Sequence, residues 1–462
     1  MNQKSKTRIE KDSMGSLNVP KGAYYGASTM RAVLNFPISQ LRFQRQFIKS
    51  LGQIKKAAAL ANIELGLIDS KIGTAIADAA QKVIDGEFDD QFVVDIFQTG
   101  SGTSTNMNMN EVISNLAIEY LGGVIGSKVP VHPNDHVNKG QSSNDVIPTA
   151  IHISALTSIS NQLIPAIDTL ENSLRQKSTE LMGIVKTGRT HLQDATPIKL
   201  GQEFVGFAGQ MERCNIRIKH ALIGLSEVAL GGTAVGTGVN THPEFAKRSC
   251  IYLSKWISHE IKETDNHFQS QSTLDAVVAM SGVLKTLAIS MMKISNDIRW
   301  LGSGPRAGLG EIELPAVQPG SSIMPGKVNP VIAESACMVA AQVIGSDTTI
   351  TIAGQSGNFE LNVMMPVAAF NLIQSIELLA TSLHNLATQC VDGIKPTLRG
   401  PERVEKGLAI VTTLVPIIGY DLAAEIAKKA QTTGKTIRET ALEETDIEPS
   451  ELDQILDPSK MT

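Results

Sequence analysis

The chain has 462 residues, too many for one ordinary core, and 42% of them are hydrophobic while only 4% are aromatic. That composition suits packed helices better than a β-sandwich. A net charge of −5 without a long basic run gives no electrostatic support for nucleic-acid binding.

The four cysteines, Cys214, Cys250, Cys337 and Cys390, are far apart and form no CxxC pair. This argues against a zinc ribbon and fits reduced thiols in a cytoplasmic protein. The first thirteen residues are charged and polar, so no signal peptide is expected. No uninterrupted apolar run reaches membrane-spanning length; the most apolar stretch, 408–419, is short and holds Thr412, Thr413 and Pro416. No membrane span is therefore expected.

In chain order, residues 8–20 read as turns and short extended pieces. From 44 to 65 the pattern is helical, with Ile48, Leu51, Ile54, Ala58 and Leu60 near one face and Gly66 as a stop. A second helix is expected over 72–84. The polar stretch 98–110 opens a third over 110–120. In the middle of the chain, Leu156, Ile159, Leu163, Ile167, Leu170 and Leu174 recur at spacings of three and four, with Pro165 expected to kink the helix. Leu284, Leu287, Met291, Ile294 and Ile298 repeat the pattern, and a further long helix is expected over 366–390. Narrow apolar seams on long helices imply a bundle, with some seams facing other subunits. After Pro396, Gly400 and Pro401 the helices become short and charged. The expected domains are 1–142 (mixed, mainly helical), 143–394 (helix bundle) and 395–462 (small, helical).

Four polar clusters interrupt the helices: Ser101-Gly102-Thr103; His132-Pro133-Asn134-Asp135 with Gln141-Ser142-Ser143-Asn144-Asp145; Gly188-Arg189-Thr190-His191-Leu192-Gln193-Asp194; and 320–330. Each taken alone reads as a capped turn. The last packs two glycines, two prolines, Ser321, Ser322, Lys327, Val328 and Asn329 ahead of a helix beginning at Val331. A polar loop at a helix N-terminus suits an anion. Hydroxyls, carboxamides and one lysine suit a small dicarboxylate. Lys327 can counter a carboxylate whose charge grows as a proton leaves the adjacent carbon. An imidazole can act as acid or base near neutral pH, which makes His191 a candidate for either role. Glu334 either orients such a histidine or is a solvated first-turn glutamate. Ser321 can take a proton only if backbone N–H groups and Lys327 stabilise its alkoxide; no GxSxG elbow surrounds it.

These motifs resemble the fumarase/aspartase superfamily. The 320–330 loop, with Gly326 between Pro325 and Lys327, is similar to its signature loop. Thr187–Pro197, Gly231–Gly238 with Asn240–Pro243, Gly357–Asn362, Ile418–Asp421 and Asp457–Met461 resemble the class II fumarase branch. Aspartases typically carry glutamine where this chain has His191. The resemblance implies a mainly α, three-domain fold whose long-helix bundle forms a tetrameric helical core, with active sites shared between subunits. It implies reversible anti hydration of fumarate to (S)-malate through an aci-carboxylate, without cofactor or metal. Ser321 is then the base at C3, and Lys327 and Asn329 hold the intermediate. His191, paired with Glu334, serves the hydroxyl or water. Ser101, Gly102, Thr103, Ser142, Ser143, Asn144, Thr190, Ser322 and Val328 contact substrate or position water. His132, Pro133, Asn134 and Asp135 correspond to a second dicarboxylate site, although Val129 stands where relatives carry arginine. An ammonia-lyase of the aspartase type and a catalytically silent scaffold are the alternatives.

Overall fold

A computed structural model describes residues 7–462. The chain opens with an antiparallel hairpin of β1 (Thr7–Asp12) and β2 (Gly15–Pro20). Helices α1 (Ala27–Asn35), α2 (Arg45–Glu64), α3 (Ser70–Asp85), α4 (Thr103–Tyr120), α5 (Ser143–Ser158) and α6 (Ile164–Leu181) follow. A second hairpin, β3 (Val185–Thr190) and β4 (Gln193–Lys199), leads into α7 (Leu200–Leu225). Then come α8 (Phe245–Ile257), α9 (His267–Ser272), α10 (Asp275–Leu301), α11 (Val331–Gly354) and α12 (Met365–Gln389), with short helices to the C-terminus.

The described residues form two compact units. One comprises residues up to 164, 216–286 and 341–379; the other comprises 165–215, 287–340 and 380–462. The cut falls inside α6, α7, α10, α11 and α12. In the first unit, α2 buries Phe47, Ile48, Leu51, Ile54 and Ala58, close to the expected face, while Leu60 is half-buried. In the second, Leu287, Met291, Ile294 and Ile298 of α10 are fully buried, as are Ile167, Leu170 and Leu174 of α6. Residues 410–456 share a hydrophobic cluster of their own, built on Ile410, Leu414, Ile426, Ile437 and Leu452.

Three expectations change. Pro165 sits at the second position of α6, directly after a π-helical turn, Ile159–Leu163, that joins α5 to α6. Proline has no N–H to donate, and the wider turn takes up that interruption of the ladder. Helix α4 starts at Thr103 rather than near 110, because its Asn106, Asn108 and Asn110 point into the protein and are buried. Finally, Asp275–Leu301, Val331–Gly354 and Met365–Gly393 are long and apolar enough to cross a membrane, with mean hydropathies of 1.6, 1.3 and 1.2. The interruptions in these helices are mostly hydroxyls and small residues, which lower hydropathy little. An internal polar set, Lys285 Nζ at 2.6 Å and Ser281 Oγ at 2.7 Å from Asp347, joins α10 to α11 within the first unit.

Candidate active site

The first unit carries the 101–103 and 132–145 clusters. Gly102 has φ +71° and forms the N-cap of α4, with Ser101 Oγ 2.8 Å from Thr103 Oγ1. A side chain at Gly100 would overlap the carbonyl of Val363 at 1.8 Å, so this turn admits only glycine there. Ser142 caps α5: its hydroxyl accepts from Asn144 N, while Asp145 Oδ1 accepts from Ser142 N at 2.9 Å. Asp145 Oδ2 accepts from Gly231 N and Thr233 N at 3.1 and 2.9 Å. Asn144 Nδ2 donates to the carbonyl of Ala234 at 2.7 Å. Thus one fully buried carboxylate fixes the first turn of α5 against the 231–234 turn. Burial pushes its pKa up to about 6, against the N–H groups and Lys55 that favour its charge.

His132 caps a single π-turn, its Nδ1 accepting from Asn134 N and Asp135 N at 3.2 Å each. Asn134 and Asp135 are exposed. Lys128, the cation nearest to Val129 in sequence, donates to the carbonyl of Lys11 at 2.6 Å.

The second unit carries the other two clusters. His191 and Leu192 are the two central residues of the β3–β4 turn, with Thr190 opposite Gln193. Their φ values are +55° and +60°, the pattern of a type I′ turn, which ordinarily uses asparagine and glycine. Holding two side-chain-bearing residues there costs on the order of 1–3 kcal/mol each. The hairpin is braced below the turn. Arg189 donates to Glu311 Oε1 at 2.7 Å, and Lys186 donates to Glu203 Oε1 at 2.9 Å. Lys186 Nζ is also 2.7 Å from Glu311 Oε2, an ion-pair contact rather than an aligned hydrogen bond. Lys186 and Glu311 are both about 1% exposed. Burial works against charge on Glu311, yet Arg189 and Lys186 hold its carboxyl below the ordinary range; burial raises that of Glu203 despite Lys186.

The 320–330 loop is closed by two bonds. Gly320 N donates to the carbonyl of Lys327 at 2.8 Å, and Asn329 Nδ2 donates to the carbonyl of Gly320 at 2.6 Å. Inside it, Ser321 Oγ accepts from Met324 N at 2.9 Å and Ile323 N at 3.2 Å. Two backbone N–H groups therefore aim at the atom the sequence singles out as a base. Ser322, Lys327 and Val328 are exposed, and Glu334 is half-buried in the first turn of α11. A cleft of about 930 Å³ opens beside the loop, lined by Lys327, Asn329, Glu334, Arg299, Trp300 and Arg399 among others. Ser321 and His191 do not line it. Thr190 and His191 are exposed, and among the described residues no ion pair joins His191 to Glu334. The second unit thus sets Lys327, Asn329 and Glu334 on one cleft, holds Ser321 in the same loop but outside the cleft lining, and presents His191 separately on its hairpin.

The sequence reading did not find the bracing set Lys186, Arg189, Glu203 and Glu311, nor the fixing role of Asp145. The signal available was charge inside otherwise apolar segments, and in Asp145 its position three residues after a serine cap.

Residues 15–345 match the Lyase family model, and residues 410–462 match the Fumarase C C-terminus model. Fumarate hydratase class II 2 of Pseudomonas aeruginosa is 51% identical, over 99% of this chain and 98% of its own length. Fumarate hydratase class II of Nitrosomonas europaea is 50% identical, over 98% and 99%. A crystal structure of class II fumarase from Schistosoma mansoni superposes with a TM-score of 0.97 at 40% identity, covering 98% of this chain and 99% of that one. With its motifs, its helices and its full length all matched, the chain belongs to the fumarase/aspartase lyase family, in its class II fumarate hydratase branch.

Proposed function

We propose that the chain catalyses the reversible anti addition of water to fumarate, giving (S)-malate, with Ser321 as the C3 base. The observation that carries the assignment of roles is the pair of backbone N–H groups on Ser321 Oγ, in a loop that also holds Lys327 and Asn329. A serine hydroxyl is a weak acid in water. Two N–H dipoles and a nearby ammonium favour the alkoxide over the neutral form.

In the direction from malate to fumarate, the Ser321 alkoxide takes the C3 proton. The electron pair left on C3 delocalises into the adjacent carboxylate, which becomes an aci-carboxylate. Lys327 and the second N–H of the Asn329 amide face that added charge. His191, as imidazolium, gives its proton to the hydroxyl at C2, which departs as water as the double bond forms. Glu334 orients the histidine for that transfer. Ser101, Gly102, Thr103, Ser142, Ser143, Asn144, Thr190, Ser322 and Val328 hold the carboxylates or the water. His132, Pro133, Asn134 and Asp135 form an outer dicarboxylate site. The scheme uses side chains and backbone alone and calls for no metal or cofactor.

The working form is a homotetramer in the cytoplasm, serving the tricarboxylic acid cycle, with each active site drawn from three subunits. Exposed apolar residues along the long helices support it, among them Ile223 of α7, Ile289 of α10, and Met338 and Ile352 of α11. Cys250, Cys337 and Cys390 form no disulfide, as in a reducing compartment. The test is fumarate release, followed by its ultraviolet absorbance, from malate and from aspartate, with and without prior chelation. Release from malate alone, unchanged by chelation, is expected. Release from aspartate but not malate overturns the hydratase reading, and loss on chelation restored by a divalent metal overturns the cofactor-free scheme. Light scattering checks the four-chain assembly.

A further inference from the structure

Beneath the first turn of α5 lies a lysine that the catalytic scheme does not use. Lys55, on the buried face of α2 with the polar Ser50, Gln53 and Asn62, is fully buried. Its ammonium donates to Asn138 Oδ1 at 2.9 Å and Gln141 Oε1 at 3.0 Å. Asn138 Oδ1 also accepts from Asn106 Nδ2 at 3.3 Å and Asn110 Nδ2 at 3.2 Å, while Asn138 Nδ2 donates to the carbonyl of Gln141 at 3.1 Å. Asn106 Nδ2 then donates to Ser143 Oγ at 3.0 Å.

The polarity of this chain follows from its first member. An ammonium offers donors only. Lys55 therefore requires Asn138 to turn its oxygen inward, and an inward oxygen requires Asn106 to present its NH2. With a lone pair of Ser143 Oγ occupied by that NH2, the Ser143 proton is left for another acceptor. Asn106 has a competing arrangement. Its Oδ1 is buried and accepts no hydrogen bond from any described residue. Turning the amide over would let the Ser143 hydroxyl donate to that oxygen. The Ser143 proton would then point inward, and only lone pairs would face a substrate carboxylate.

We propose that Lys55 is a positioning residue: through Asn138 and Asn106 it holds the Ser143 hydroxyl with its proton directed to the substrate carboxylate. This rests on the reading of Ser143 as a substrate contact. Burial pulls the Lys55 pKa down to about 7, with Asp145 opposing.

The test is steady-state kinetics of the full-length enzyme with malate, comparing Ser143→Ala, Lys55→Met and the double variant. Ser143→Ala should raise KM roughly tenfold or more, the loss of a hydrogen bond to a charged group, with a smaller change in kcat. Lys55→Met should do the same. The double variant should be no worse than Ser143→Ala, because Lys55 acts through that hydroxyl. Penalties that multiply in the double variant, or a wild-type KM in Lys55→Met while Ser143→Ala is impaired, overturn the inference. A wild-type KM in Ser143→Ala overturns instead the reading on which it rests. Should Lys55→Met not fold, Asn106→Ala removes the same donor to Ser143 and leaves the Lys55–Asn138 contact in place; it must raise KM as Ser143→Ala does, and a wild-type KM there overturns the inference.

Discussion

Gly320→Ala tests whether the geometry of the 320–330 loop sets the rate. A Cβ at Gly320 would lie 2.4 Å from the carbonyl oxygen of Lys327, 2.8 Å from Asn329 N and 2.9 Å from Val328 Cα. All three are backbone atoms, so no side chain can swing aside. The loop must open by roughly an ångström to restore van der Waals distance, given that dispersion contacts are optimal near 3.5–4.0 Å. Opening breaks the Gly320 N to Lys327 O bond, and strains the Asn329 to Gly320 bond. Each is worth about 0.5–1.5 kcal/mol net. Their loss together costs about 1–3 kcal/mol, which shifts thermal unfolding by a few degrees at most in a chain of this length. The rate should respond far more. A 1 Å displacement of catalytic groups costs about 100-fold, so kcat should fall roughly that much while KM moves little. The contrasting variant is Gly326→Ala, where the space is open but φ is +78°; backbone strain of about 1 kcal/mol is expected there, with a smaller loss of rate. Wild-type kcat in Gly320→Ala would refute the claim that this loop's closure positions Lys327 and Asn329.

His191→Asn should lower kcat by two to four orders of magnitude, the usual range for a general acid–base group; full turnover would remove His191 from the scheme. Glu311→Gln leaves buried Lys186 and Arg189 short of a counter-charge. It should destabilise by roughly 3 kcal/mol in urea unfolding at fixed protein concentration, and unchanged stability would show the bracing set to be dispensable. His267 has its pKa raised above 6.5 by its hydrogen bond to Glu263, 3.4 Å away, which outweighs burial. Its stabilisation is therefore complete below the unfolded-state value and is lost as pH rises through the folded-state value. Glu263→Gln should consequently lower the melting temperature more at about pH 6 than at about pH 8.5; an equal or reversed difference counts against the pair.

The long seams were legible because burial on one face leaves a period that no local competitor disturbs: Leu156 to Leu174 and Leu284 to Ile298 are buried throughout. Where polar residues do structural work inside the protein, the pattern failed. Asn106, Asn108 and Asn110 look like a surface turn yet lie inside α4, and Lys55 sits on a face read as apolar. The His191 hairpin was hidden for a different reason. Its turn lacks asparagine and glycine and is held by Arg189, Lys186 and Glu311, partners remote in sequence. Similarly, the composition of the 320–330 loop pointed to anion chemistry, but not to the two N–H groups that single out Ser321. The family motifs suggest the roles; for Ser321 the local geometry adds a physical argument.

The apolar length of α10, α11 and α12 bears on how the protein is made. Between 39% and 61% of each apolar window is buried within one chain. On the proposed tetramer, a newly folded monomer carries bare apolar ridges that other copies cover. Acquiring shape is a first-order event, whereas hiding the ridges is second-order in monomer. Recovery from denaturant should then pass through an optimum in concentration. In very dilute solution partners are slow to meet, and in concentrated solution the same ridges on half-folded chains coalesce wrongly before they can register.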